Sequence, residues 1–322
     1  MIEIKDYFGL QMRFGKNSIL QAADSLEQLG GCCDGKFFSI VRCSGVDTLS
    51  YLNGQTSNQL NVVKSGTGQA SSFNTPKGKT IALLDVFCFE KECFLIFAAN
   101  ASQRLLETLD MYLFSEDVNF DLQDSEGSLL FLGKNECEHI ANKIGLNSTS
   151  EFAVNCINES FVFKGMFGKI PYVLIQAPLA KQQINQDQSL LSHDDLEFLR
   201  IQNLYSIPGV EYWEDKILTP ELDQPHRINY QKGCFVGQEV FARLRTYGRT
   251  NKVLASICLE DCTEPAIDLI GKAVSIDEKS KGNVLASVRF GQETYLTAYV
   301  PTALKNLDDE VTVGEHRGKI IA

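Results

Sequence analysis

The sequence predicts an α+β body followed by a small all-β C-terminal domain. Three observations carry that expectation. Up to about residue 245, apolar runs of strand length interleave with segments of helical period. After Gly248 the helical period disappears, and short apolar runs are separated by Gly, Asp, Asn and Pro. No low-complexity linker divides the two parts, so 1–245 and 246–322 are expected to pack together.

The elements follow in order. Ser18–Leu29 reads as a helix, with Ile19, Ala22, Ala23 and Leu26 on one face and Gly30-Gly31 as its stop. Lys36–Cys43 reads as a strand, and a short helix around Val46–Leu52 leads into Asn53-Gly54-Gln55. Lys79–Phe89 and Glu92–Ala99 form a hairpin about the charged Glu90-Lys91. Ser102–Phe114 has a helical period with Ser102 placed to cap it. Ser128–Leu132 reads as a strand, Asn135–Ile144 as a helix stopped by Gly145, and Phe161–Lys164 and Tyr172–Gln176 as strands. Ser192 and Asp195 make a capping box for a helix running to Tyr205. In the C-terminal part Val253–Leu259, Ala273–Ile276, Val284–Phe290 and Thr294–Val300 read as strands, with Gly282-Asn283 as the clearest turn.

Composition narrows the function classes. A chain of 322 residues that is 44% apolar can bury a large core. Its formal net charge of −11 argues against general affinity for nucleic acid or an anionic membrane. No secretory signal is visible in residues 1–30, and no apolar run approaches the roughly 20 residues that span a bilayer. A cytoplasmic location with reduced thiols is the expectation for its ten cysteines. Their closest groupings are Cys32-Cys33, Cys88 with Cys93, and Cys258 with Cys262; no C-x-x-C pair exists, and no metal site is expected.

The densest chemistry lies in Lys232-Gly233-Cys234-Phe235-Val236-Gly237-Gln238-Glu239. Two glycines permit backbone angles closed to other residues and close approach of a ligand. A lysine beside a thiol favours thiolate, which makes Cys234 a candidate working thiol and Lys232 its tuner. The plain alternative is a turn that buries a cysteine. Asn53, Gln55 and Asn58 offer neutral donors and acceptors for the edge of a heteroaromatic ring, or else a polar cap between helices. Glu221 and Glu239 are carboxylates able to meet ring N–H groups, although glutamates mostly lie on surfaces. Arg243, Arg245, Arg249 and Lys252 form a basic stretch in an acidic chain, either a solvated edge or a seat for an anionic tail.

The segment Lys232–Glu239 keeps every position of K-G-C-[F/Y]-x-G-Q-E, the signature of the YgfZ family of folate-binding proteins, which resemble the glycine cleavage T-protein, an aminomethyltransferase. Tyr51–Asn58 is similar to that family's F-L-x-G-Q-x-T-N, with Ser57 in place of Thr. Phe73–Lys79 resembles its D-P-K-G-R turn, and Leu199-Arg200, Pro208-Gly209, Pro220-Glu221, Ala242-Arg243 and Gly248–Lys252 extend the likeness in family order. The resemblance implies two interwoven, ferredoxin-like α/β subdomains followed by a small C-terminal β-barrel. It implies a tetrahydrofolate-binding factor for assembly or repair of iron–sulfur clusters in client enzymes. Cys234 and Lys232 would be the working pair, and Asn53, Gln55, Gln238, Glu239 and Arg243 would hold the folate. The T-protein's acidic pair maps to Ala82 and Leu83, with Asp85 out of register. Alanine cannot carry a proton, so aminomethyltransferase activity is the second reading. A thiol hydrolase is a third; it needs a His near Cys234, and none lies in the motif.

Overall fold

The computed structural model describes residues 2–322 except 8–9, 19, 21–29, 147–148, 184–189, 214–215, 249, 277–278 and 305. Strands β1 (Ile2–Tyr7) and β2 (Leu10–Gly15) make an N-terminal antiparallel hairpin. Next come β3 (Gly31–Asp34), β4 (Phe38–Ser44), α1 (Thr48–Gln55), β5 (Thr67–Asn74), β6 (Thr80–Phe89), β7 (Glu92–Ala98), α2 (Ser102–Met111) and β8 (Asn119–Gln123). The alternation resumes with β9 (Leu129–Leu132), α3 (Lys134–Ile144), β10 (Ala153–Ile157), β11 (Ser160–Phe167), β12 (Ile170–Ile175) and α4 (Leu179–Gln183). Helices α5 (His193–Gln202) and α6 (Gln238–Tyr247) flank a largely irregular segment. The chain closes with β13 (Lys252–Leu259), α7 (Ala266–Leu269), β14 (Ala273–Ile276), β15 (Lys279–Phe290), β16 (Glu293–Pro301), β17 (Glu310–Val313) and β18 (His316–Ile320).

Ten strands form one sheet in the order β3-β9-β12-β11-β10-β5-β6-β7-β4-β8. Its two halves meet at a single register pair, Ala153 on β10 with Thr67 on β5. In the first half, β4-α1-β6-β7-α2-β8 lies in the spatial order β6-β7-β4-β8, the ferredoxin-like arrangement. The second half repeats it as β11-β12-β9-β3, but its fourth strand, β3, precedes the whole first half in sequence. That borrowed strand is what interweaves the two subdomains.

Period-2 alternation sorts the side chains. On β6, Ala82, Leu84, Val86 and Cys88 join the core under α1 and α2, with Leu52, Leu105 and Leu109. Leu83, Asp85 and Phe87 point the other way, and Phe87 enters the central core with Phe37, Phe38, Phe163, Tyr172 and Phe198. Helix α3 covers a third core through Cys137, Ile140 and Ala141. Six strands, β13-β16-β15-β14-β17-β18, close into a barrel filled by aliphatic side chains such as Ile257, Val274, Leu296 and Val313.

The barrel docks on α5, where the Phe198 ring stacks on Phe290 at 3.9 Å and 9°. Beneath that contact Arg200 is fully buried. It grips Glu197 through two hydrogen bonds, 2.9 and 2.8 Å, and donates a third to Glu211 at 2.6 Å. The Tyr7 hydroxyl donates to Glu197, Thr297 of the barrel donates to Glu211 at 3.0 Å, and Tyr299 donates to the Glu211 carbonyl at 2.6 Å. One guanidinium therefore links the N-terminal hairpin, α5 and the barrel.

The structure departs from the sequence expectation at several elements. Gly282-Asn283 lies inside β15, paired with Val274 and Ala273, and is not a turn. A Cβ on Gly282 would come within 2.0 Å of the Tyr299 carbonyl oxygen, so close strand approach explains the glycine. Ser102 is the first residue of α2 and makes no cap bond; its hydroxyl donates to the Ala99 carbonyl. The Ser192–Asp195 capping box is present, although α5 ends at Gln202. Most of the helix expected over 18–29 lies outside the described residues. Strands β1, β2, β3, β5, β8, β10, β17 and β18 have no counterpart among the sequence expectations.

Arg200→Met should lower unfolding free energy by about 3–5 kcal/mol in urea titrations, because it leaves two buried carboxylates without their cation. Burial opposes ionisation of Glu197, but Arg200 outweighs it and holds the carboxyl below its ordinary 4.5. A depressed carboxyl pKa gives stability that is complete above the unfolded value and lost as pH falls through the folded one. Stability should therefore drop below about pH 4.5, and Glu197→Gln should flatten that slope.

Candidate functional site

Three segments far apart in sequence meet at one place. The turn at residues 229–236 is laced to the C-terminal end of α1. Asn229 N–H donates to the Ser57 carbonyl at 3.0 Å, and Val236 N–H donates to the Gly54 carbonyl at 3.2 Å. Between them the Lys232 ammonium donates to the carbonyls of Asn53, Thr56 and Asn58 at 2.5, 2.7 and 2.9 Å. These are groups that a helix end leaves without intrahelical partners. Burial pushes the Lys232 ammonium down to about 8, while the three carbonyl oxygens favour its charged form. The aliphatic stem of Lys232 is buried, and its Nζ sits 5.1 Å from the centre of the Phe235 ring.

The third segment is the turn Thr75–Lys79. Gly237 caps α6 in the left-handed region, φ 86°, and a Cβ there would lie 2.8 Å from the Thr75 oxygen and 3.0 Å from Gly78 Cα. Gly78 is itself left-handed, φ 72°, and faces Val240 of α6. Both glycines are thus required by close approach as well as by their backbone angles. Below this contact runs a chain of buried hydroxyls and amides. Ser57 hydrogen-bonds Ser72 at 2.7 Å, Thr219 donates to Ser72 and Asn74, and Thr219 meets Thr80 at 3.0 Å.

The candidate residues divide by how they are used. Asn53 Oδ1 accepts from Leu60 N–H, and Asn58 donates to the carbonyls of Ala70 and His226, so both amides shape the backbone. Gln55 differs: its Oε1 is buried and has no hydrogen-bond partner. An orphan acceptor of this kind fits a ligand N–H donor. Cys234 is exposed in the turn, with Gly233 beside it in open space, rather than buried as the plain alternative had it. The hydrogen bonds of the Lys232 ammonium go to the three carbonyls of the α1 end. Gln238 opens α6, while Glu239 and Arg243 pair with each other at 2.5 Å on its exposed face. Glu221 closes the turn before it by accepting from Leu218 N–H at 2.8 Å. Arg249 lies outside the described residues.

Sequence reasoning passed over Arg227. It is buried and donates to Asp85 at 2.9 Å and to the carbonyls of Leu84 and Ser71, while Tyr172 donates to the other Asp85 oxygen at 3.0 Å. In the mixed stretch His226-Arg227-Ile228-Asn229 the arginine carries no signal of its own in the sequence. Beside Arg227 opens a concavity of about 390 Å³ lined by Asn58, Gln69, His226, Tyr230 and Arg245, with the Arg245 guanidinium 5.8 Å from the Tyr230 ring centre.

Comparison with known proteins follows the same lines. No family model matches the chain. It is 22% identical over 320 residues to a chloroplastic protein of Arabidopsis thaliana whose name marks it as a candidate transferase, covering 94% of this chain and 72% of the relative. It is 23% identical over 264 residues to the tRNA-modifying protein YgfZ of Hamiltonella defensa, covering 78% of this chain and 77% of that one. The crystal structure of the glycine cleavage system aminomethyltransferase T from Bartonella henselae superposes with a TM-score of 0.77 at 14% identity, over 100% of this chain and 93% of the other. The fold is that of the T-protein, and the sequence is similar to YgfZ proteins. Among the described residues, no helix is long and apolar enough to cross a membrane.

Lys232→Met should remove the three carbonyl contacts and lower stability by about 2–4 kcal/mol. Hydrogen exchange at the Asn229 and Val236 amides should speed up. Lys232→Arg should not restore protection, since a planar guanidinium cannot aim at three converging oxygens. Unchanged exchange in both variants would show that the motif is held by its backbone alone.

Proposed function

We propose that this chain is a folate-binding protein of the YgfZ type, which uses tetrahydrofolate in the assembly or repair of iron–sulfur clusters in client enzymes. The observation that carries the reading is the unpartnered Gln55 Oε1 at the end of α1, the helix end to which Lys232 ties its turn. A reduced pterin presents amino and ring N–H groups that such an acceptor can take. Asn53 holds the Leu60 N–H with its Oδ1, and in this reading its Nδ2 is what remains for the ring edge. Gln238, Glu239 and Arg243 line the approach, where Arg243 can exchange its pairing with Glu239 for a ligand carboxylate. Arg245, set over Tyr230, offers a second such cation. Cys234 is the working thiol in this reading, and Lys232 positions it by fixing the turn on α1.

Aminomethyl transfer is the weaker reading. Ala82 and Leu83 are buried and apolar, and Asp85 is occupied by Arg227 and Tyr172. No carboxylate at these positions is available as a base. The relatives' naming as tRNA-modifying points to nucleic acid, but a chain of net charge −11 is poorly suited to a phosphate backbone. A link to tRNA through a client enzyme fits the charge better. Such clients would be met in the cytoplasm.

Tetrahydrofolate should raise the thermal midpoint; at about 100 times Kd linkage supplies roughly 2.7 kcal/mol. Gln55→Leu removes an unpartnered buried oxygen, so it should leave stability equal or higher while weakening folate binding. Cys234→Ser and Cys234→Ala should fold and bind folate normally yet lower client-enzyme activity in cells. No midpoint shift at millimolar tetrahydrofolate would count against the folate reading. Methylenetetrahydrofolate formation in a reconstituted glycine cleavage assay would promote the transferase reading.

A further inference from the structure

The hairpin of β6 and β7 turns on two residues, Glu90-Lys91, with Glu90 at φ 55°. Its register pairs Phe89 with Glu92 and then Cys88 with Cys93. In a two-residue hairpin the turn-closing pair exchanges hydrogen bonds, so the next pair, the two cysteines, is non-hydrogen-bonded. Cα atoms at such a site stand about 4.5 Å apart, inside the range a disulfide spans. The two sulfurs are already in contact at 3.4 Å. Cys43 lies opposite Cys93 on the other side, on β4. Because hydrogen-bonded and non-hydrogen-bonded faces alternate, that pair is a wide one, with Cα atoms about 5.5 Å apart. Both spacings lie inside the disulfide range, so it is the 3.4 Å sulfur contact that selects Cys88 over Cys43 as the partner of Cys93.

We propose that Cys88 and Cys93 are a redox couple, a dithiol that a hydroperoxide oxidises to a cross-strand disulfide. One hydrogen bond joins the two sulfurs; with Cys93 as its donor, Cys88 is held below its ordinary value despite burial, and Cys88 is also the more exposed of the two, so it is the sulfur that attacks. Its thiolate takes the distal oxygen of the peroxide, the O–O bond breaks, and sulfenic acid and hydroxide form. The Cys93 sulfur then displaces that oxygen; the S–S bond forms and water leaves with the thiol proton. In sum, two thiols and one hydrogen peroxide give one disulfide and two waters. Both side chains are buried, yet Cys88 is 7% exposed two residues before the hairpin tip, which gives a small peroxide its route. The pair stands at the far end of β6 from Thr80, about 26 Å of strand away, so it is separate from the folate reading.

Sequence makes the test direct. Lys91 lies between the two cysteines, so trypsin separates peptide 80–91 from peptide 92–104 unless a disulfide holds them together. The native full chain is treated with hydrogen peroxide, remaining thiols are alkylated after unfolding, and the digest is mapped by mass spectrometry without reductant. The expected product is the 80–91/92–104 pair, lighter by two hydrogens than the sum of its free peptides and resolved by dithiothreitol. Cys43→Ser should leave it intact, and Cys88→Ser or Cys93→Ser should abolish it. Phenylarsine oxide, which bridges adjacent thiols, should bind the reduced chain and lose this site in Cys88→Ser. The proposal is overturned if the exposed Cys156 and Cys234 oxidise while Cys88 and Cys93 remain alkylatable, or if Cys93 links to Cys43. Should a serine variant fail to fold, the wild-type peptide map still decides.

Discussion

The burial of Arg200 constrains this molecule more than any other single feature. A guanidinium removed from water is tolerable only when its donors are fully met and its charge is balanced. Two carboxylates from the same stretch of chain, Glu197 and Glu211, meet that condition, and they in turn collect Tyr7, Thr297 and Tyr299. The N-terminal hairpin and the barrel are therefore fixed to α5 by the needs of one buried charge. Two more buried cations repeat the device. Arg227 draws together the β5 and β6 backbone, Asp85 and, through Asp85, Tyr172 on β12 in the other half of the sheet. Lys232 joins its turn to α1. Each cation bridges parts that the hydrophobic cores leave separate, since those cores are distinct clusters under distinct helices.

This arrangement explains why the candidate site lies where it does. The Lys232 ammonium and the two left-handed glycines bring main chain to main chain, which leaves little room for side chains between the segments. Beneath them, the line of Ser57, Ser72, Asn74, Thr80 and Thr219 satisfies the polar groups that such close packing strands from water. Near this network Gln55 Oε1, at the end of α1, is one of eight buried side-chain atoms without a hydrogen-bond partner among the described residues. The exposed thiol of Cys234 sits on the same turn, whose flexibility Lys232 removes.

Legibility in the sequence followed physical range. The capping box of α5, the Glu90-Lys91 hairpin and the stop at Gly145 are local effects, and the structure contains each of them. Gly282 was misread because a glycine that admits a neighbouring backbone looks, in sequence, like one that makes a turn. Strand β8 escaped because its exposed face is polar and its pattern offers no apolar run. The borrowed strand β3 could not be placed, since its partners lie about a hundred residues away at β9. At the site, the family-like motifs singled out segments that the structure brings together, but not the contacts that join them. That Lys232 reaches carbonyls rather than a thiol, and that Arg227 anchors the floor, depends on contacts across 140 to 180 residues.

The replacement of a carboxylate pair by Ala82 and Leu83 also has a structural counterpart. Ala82 is part of the core under α2, and Leu83 packs with Tyr212, Ile217, Leu254 and Tyr299 where the sheet meets the barrel. A strand position that bears acid in a transferase here helps to seal an apolar junction. Returning a carboxylate to position 83 would place an unpaired charge among aromatic and aliphatic side chains, a cost of several kcal/mol before any chemistry could begin. Asp85 cannot stand in, because Arg227 and Tyr172 already fill its oxygens and removing either would unbalance the floor of the site. The T-protein fold is retained here, and the two positions that the resemblance sets against its acidic pair are filled by apolar packing.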